Sequence, residues 1–222
     1  MRYVIIIPAF NAAPYLEELI TRTRRSAPGI PVTVIDDGSA DGTAEVAEHF
    51  ADRVLRHPEN KGKGAALKTA FADALETPID AVVHLDADLQ HEPESLPHFF
   101  AAFETGNWDV LVGTRDFRAG HMPWSRRTTN RITSWAISKM TGMDVPDSQS
   151  GYRLIARPVL ETIRPESDLY DYESEYLIRA GQAGYKIGSV PIATVYEGKP
   201  SFIRPLRDTF RFIRLVGLYW GK

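Results

Sequence analysis

Short apolar runs rich in β-branched residues alternate with segments of helical period, and this alternation constrains the fold more than any other feature of the chain. The runs at 4–7, 32–35, 81–85 and 110–112 are brief and apolar almost throughout, as strands covered on both faces are. Between them, residues 15–25, 43–50, 64–75 and 96–105 repeat their apolar positions at three- and four-residue steps. Strand then helix, repeated, predicts an α/β fold: a mostly parallel sheet flanked by helices.

In such a sheet, ligands bind beyond the carboxyl ends of the strands. Each of the four runs ends in a polar or turn-forming cluster, at 8–11, 36–42, 86–91 and 113–116. The clusters therefore converge on one crevice, and residues 1–115 read as a nucleotide-binding half. From residue 117 the alternation fades. Helices are expected at 130–140, 172–183 and 205–219 and a strand at 186–191, with 147–153 leading between elements; residues 116–200 form an acceptor-side half. A chain of 222 residues without linker or repeat is expected to make one domain.

A net charge of −3 gives no global field to attract nucleic acid, so no nucleic-acid partner is expected. The absence of cysteine removes disulfides, thiolate-bound zinc and cysteine nucleophiles together. The apolar run at 3–7 is too brief for a signal peptide, and no window reaches the ~18 apolar residues of a spanning helix. The expected location is cytoplasmic, with any membrane contact peripheral, at the inner face.

Asp86-Ala87-Asp88-Leu89-Gln90 is the strongest motif. Two carboxylates and an amide oxygen at a strand end offer hard ligands to Mg²⁺ or Mn²⁺, with a diphosphate completing the shell. An isolated Asp-x-Asp is more often a solvated turn; its place after a buried strand reverses that preference. Asp36 and Asp37 end the second run, where a carboxylate can bond a ribose or a base N–H, and Asp41 or Thr43 is expected to cap the next helix. Asn60-Lys61-Gly62-Lys63-Gly64 precedes the third helix. Its glycines allow close backbone approach, and a helix N-terminus with lysines favours a phosphate. The Walker loop is absent, as is the Gly-rich dinucleotide fingerprint after the first strand.

The segments IPAFN (7–11), DDGSADGT (36–43), NKGKGAALK (60–68), DADLQH (86–91) and GTR (113–115) occur in the order seen in family-two glycosyltransferases of GT-A fold, which the chain resembles over about its first 115 residues. With SGYR (150–153) and VPI-x-x-x-Y (190–196), it is most similar to polyprenyl-phosphate sugar transferases of the dolichyl-phosphate mannosyltransferase type. The resemblance implies a UDP- or GDP-hexose donor, inversion, and polyprenyl phosphate as acceptor. It implies that Pro8, Phe10 and Asp36 frame the base and ribose with Lys63 nearby, that Asp86, Asp88 and Gln90 hold donor and metal, and that Arg115 and Arg126 or Arg127 face phosphates.

Asp147, before Ser150-Gly151, is a candidate base for a hydroxyl acceptor or a loop ligand; a phosphate acceptor, already anionic, needs no base. Ser150 joins the acceptor side. Glu173 and Glu175 read as structural, and the scattered histidines as uninformative. Arg204, Arg207, Arg211 and Arg214 share one stripe of the last helix beside apolar residues, which suits either an interfacial helix or an ordinary packed one. The alternatives are transfer to a saccharide hydroxyl, a noncatalytic nucleotide-sugar binding module and a nucleotidyltransferase; the last lacks its triphosphate loop.

Overall fold

The computed structural model describes residues 1–116, 124–169, 171–193 and 205–220, with the side chains at 124–126, 205–210 and 213 outside the description. Its elements run β1 (Tyr3–Ala9), α1 (Ala13–Ser26), β2 (Val32–Asp36), α2 (Thr43–Phe50), β3 (Arg53–Arg56), α3 (Lys63–Leu75), β4 (Ala81–His84), α4 (Leu96–Thr105), β5 (Val110–Arg115), α5 (Trp124–Thr141), β6 (Arg153–Ala156), α6 (Arg157–Thr162), α7 (Asp171–Gln182), β7 (Ile187–Ile192) and α8 (Pro205–Tyr219). The strands form one sheet in the order β3-β2-β1-β4-β6-β5-β7. All pairings are parallel except those of β6, which is antiparallel to β4 and to β5.

β1, β2 and β4 are buried almost throughout because helices cover both faces, the reason their sequences are apolar runs rather than alternating patterns. One core lies between the sheet and α3, α6 and α7, around Leu67, Phe71, Val159 and Leu177; the other lies under α1 and α4, around Leu16, Leu19, Ile20 and Phe99. Helices 43–50, 96–105 and 205–219 fall where the sequence places them.

Two strands depart from expectation. β3 is an edge strand of four residues with arginine at each end, too short and too charged to register as an apolar run. β6 was expected to be the end of a connecting segment, because it opens on Arg153. That arginine is 1% exposed, and its guanidinium donates to the carbonyls of Ser148, Ser150 and Glu173 at 2.7–3.0 Å, which satisfies a buried cation inside a strand.

Candidate active site

The antiparallel direction of β6 builds the site. Because β6 enters the sheet between β4 and β5 from the end where those strands finish, Ser150-Gly151-Tyr152 arrives beside the turn after β4 and the end of β5. Gly113 N donates to Tyr152 O at 2.8 Å, and the Tyr152 ring stacks on Phe99 with centroids 4.5 Å apart. Gly151 lies directly over the Asp86 carboxylate; a Cβ there would overlap its oxygens. Ser150, expected on the acceptor side, is fully buried, and its Oγ accepts from Tyr152 N, so it serves the turn.

After β4 the chain turns through Leu89, whose φ of 57° is left-handed, and Gln90 N donates to Asp88 Oδ1 at 2.9 Å. Asp86, Asp88 and Gln90 are all part-exposed along this turn. Lys63, the first residue of α3, reaches across to place Nζ 2.5 Å from Asp86 Oδ1 and 3.2 Å from Glu173 Oε2. Burial opposes ionisation of Asp86, and the Lys63 ammonium outweighs it, holding the carboxyl at about 2. Burial likewise opposes the charge on Lys63, and Asp86 and Glu173 together raise its pKa above the ordinary lysine value.

Lys63 thus serves the Asp86 turn. The glycine pair beside it does not make an open anion cradle either, which corrects the reading of 60–64. A Cβ on Gly64 would lie 2.7 Å from Asp168 C and from Tyr172 Cβ, so the close approach is to the chain's own segment before α7. The Ala65 amide donates to Asp168 O, and the amides of Lys61 and Gly62 donate to Asp37 at 3.0 and 2.8 Å. The anion at the N-terminus of α3 is therefore Asp37 itself. Its Oδ1 also meets His57 Nδ1 at 2.6 Å. Asp36, fully buried, accepts from Ser39 N and lies 3.2 Å from Arg56. Asp41 accepts from the amides of Thr43 and Ala13, and Thr43 Oγ1 accepts from Ala12 N, so both tie the start of α2 to the start of α1. Pro8 is buried inside β1, whereas Phe10, 36% exposed, stands just beyond its end.

On the other flank, Asp147 is fully buried and accepts from Arg115 N, Nε and Nη2 at 3.2, 2.6 and 2.8 Å and from Asn130 Nδ2 at 3.1 Å. Four donors on two oxygens fix Arg115 at the end of β5. Arg127 lies in the first turns of α5, part-buried; the side chain of Arg126 and all of Arg204 lie outside the described residues, as do the side chain of Arg207 and Tyr196. His84 and His91, set aside in the sequence, are buried at this edge of the sheet. Burial, with Arg115 and Lys63 nearby, holds His91 at about 4, and among the described residues both its ring nitrogens are without hydrogen-bond partners. Burial and Arg153 hold His84 below its ordinary value. The signal for His91 was its place directly after the acidic motif. Glu173, read as structural, contacts Lys63.

Among the described residues no three His, Asp or Glu side chains are grouped to cage a metal. Mg²⁺ and Mn²⁺ are held instead by one or two carboxylates together with phosphate oxygens in many nucleotide enzymes. An ionised Asp86, with Asp88 and the Gln90 amide on the same turn, fits that donor set.

The chain matches the family model described as "Glycosyl transferase family 2" over residues 4–164. It is 33% identical over 208 residues to an undecaprenyl-phosphate mannosyltransferase of Micrococcus luteus, covering 88% of this chain and 84% of that one. It is 32% identical over 203 residues to a polyprenol monophosphomannose synthase of Mycolicibacterium smegmatis, covering 86% and 76%. In structure it is similar to glucosyl-3-phosphoglycerate synthase of Mycobacterium tuberculosis, solved with Mn²⁺, UDP and glucosyl-3-phosphoglycerate, at a TM-score of 0.74 and 23% identity, covering 97% of this chain and 77% of that one.

Proposed function

The chain belongs to glycosyl transferase family 2 and has the GT-A fold, and on that premise we propose that it transfers a hexose from a UDP- or GDP-sugar to polyprenyl phosphate, with inversion. The observation that carries the reading is the turn after β4: an ionised, part-exposed Asp86 beside Asp88 and Gln90, at the crevice where a parallel sheet binds ligands. Asp86, Asp88 and Gln90 are the residues to hold Mg²⁺ or Mn²⁺. When bound, the ion supplies Lewis-acid stabilisation of the charge gathering on the departing diphosphate. Phe10 offers a part-exposed aromatic face to the nucleobase, and Arg115, aimed by Asp147, offers its charge to a phosphate.

Asp147 in this reading orients Arg115 and does not act as a base, since its oxygens are already occupied by four donors in a fully buried setting. That suits an acceptor which is itself an anion and needs no deprotonation. The names of the Micrococcus and Mycolicibacterium relatives support the same acceptor class.

A lipid-linked acceptor calls for contact with a membrane surface. No described helix is long and apolar enough to cross one. Ile132 and Trp135 of α5 and Leu218 and Trp220 at the end of α8 are more than half exposed, and the two tryptophan rings lie 6.5 Å apart between centroids. Arg214 is exposed on the same helix. Apolar and indole side chains with cations beside them suit an interfacial contact.

The test is transfer of labelled sugar from GDP-mannose, GDP-glucose, UDP-glucose and UDP-galactose into a solvent-extractable polyprenyl phosphate, with Mn²⁺ and with chelator. Metal-dependent label in the lipid fraction is expected from one donor. Label that appears only on a saccharide hydroxyl overturns the acceptor, and donor binding without turnover on either acceptor makes the chain a binding module.

A further inference from the structure

Lys63 is shared. Its Nζ stands between a carboxylate of the turn after β4 and a carboxylate of α7, 2.5 Å from Asp86 and 3.2 Å from Glu173. The Lys63 side chain is 15% exposed, that of Glu173 only 8% and that of Asp86 27%, so water screens the Lys63–Glu173 pair less than the Lys63–Asp86 pair.

Among the described residues no other hydrogen bond reaches the Glu173 carboxylate. There its Oε1 is buried without a hydrogen-bond partner, and the neighbouring cation Arg153, which feels the Glu173 charge, bonds the Glu173 carbonyl and two other carbonyls. Nor does α7 depend on it for anchorage. Glu175, two positions on and so on the opposite side of the helix, accepts from the amides of Glu166 and Ser167 and from Tyr219 Oη, at 2.9 Å each. Tyr172 packs against Gly64 and holds α7 to α3. A buried carboxylate with one oxygen unmet costs stability, and here packing offers no return for it.

We infer that Glu173 is a positioning residue for the cation site at Asp86, holding Lys63 as an ammonium shared by two carboxylates. A divalent ion arriving at Asp86 must displace an ammonium 2.5 Å away. Glu173 gives that ammonium a second anion to rest on, so Asp86 is released without leaving a buried unpaired cation. Before the ion arrives, the contact with Lys63 holds the Asp86 side chain in place. The inference rests on the assignment of Asp86 and Asp88 to the divalent ion.

The signs make it testable. Glu173 adds negative charge near the ion and Lys63 adds positive charge, so their removal shifts ion affinity in opposite directions. Mn²⁺ binding to the full chain in the presence of UDP or GDP is followed by loss of the free-ion electron paramagnetic resonance signal, with thermal melting as a check on folding. Glu173→Gln is expected to weaken Mn²⁺ binding about tenfold, within the range found for residues that orient metal ligands. Lys63→Gln is expected to tighten it several-fold, and the double variant, which restores the charge balance, to return within about threefold of wild type. Two structural lesions would instead both weaken binding and compound in the double variant, which overturns the inference, as does Glu173→Gln with unchanged affinity. If Glu173→Gln melts early, Glu173→Asp keeps the charge; wild-type affinity there supports the inference and a tenfold loss overturns it. Mn²⁺ binding that Asp88→Asn abolishes while Glu173→Gln leaves it intact overturns the positioning role alone. No Mn²⁺ binding by the wild type overturns the ion site with it.

Discussion

The turns after β2 and β4 look alike in sequence, each a strand end followed by paired aspartates, yet they do opposite work. After β2, Asp37 is 3% exposed and committed to two backbone amides and His57. After β4, Asp86 and Asp88 remain part-exposed, and Asp86 faces an ammonium that can move. Fixed amides make a carboxylate part of the scaffold, whereas a flexible lysine leaves it free to exchange partners. Asp37 is thus held by backbone donors and a buried imidazole, whereas Asp86 is held by the side chain of Lys63.

The largest effect expected of this contrast is on stability at the first turn. Asp37→Ala strips the Lys61 and Gly62 amides and His57 of their acceptor and should cost about 4 kcal/mol, read as an early thermal or urea transition. A near-normal melt would show that Asp37 is not scaffold. Asp88→Asn probes the other turn. It should lower transfer on the order of 100-fold or more while leaving the melting temperature close to wild type, and activity within a few-fold at saturating Mn²⁺ would take Asp88 out of the site.

Two glycines carry the contrast further. Gly64→Ala drives a Cβ into the backbone of Asp168 and should cost about 2 kcal/mol of stability. Gly151→Ala drives one into the Asp86 carboxylate, so its main effect should fall on transfer and on Mn²⁺ affinity, by roughly tenfold or more. Equal stability losses with no separate activity loss in Gly151→Ala would break the distinction. The smallest expected effect is that of Asp147→Asn. Loosening Arg115 should reduce transfer about tenfold without changing the shape of the pH–rate profile, whereas a base would cost roughly 100-fold or more and take the acidic limb with it.

Much of the first half was legible because its period is local. β1, β2, β4 and β5 are apolar through lying between two layers of helices, and α2 and α4 begin and end where their apolar period does. The acidic motif was legible because its position after a buried strand carries the information. The second half was harder to read: β6 hides behind Arg153, whose partners are carbonyls from three separate residues, and Glu173 meets Lys63 across 110 positions rather than through any spacing of its own.

The sequence by itself determined the α/β alternation and the acidic clusters at the strand ends, since these follow from burial periodicity and short-range chain direction. The tertiary structure alone decided which aspartate meets fixed amides and which meets Lys63. It also decided that Ser150-Gly151-Tyr152 reaches Asp86 and that Glu173 reaches Lys63. The reason is that a charge is governed by whatever lies within a few ångströms of it, and in a sheet that inserts an antiparallel β6 between β4 and β5 those neighbours come from remote parts of the chain.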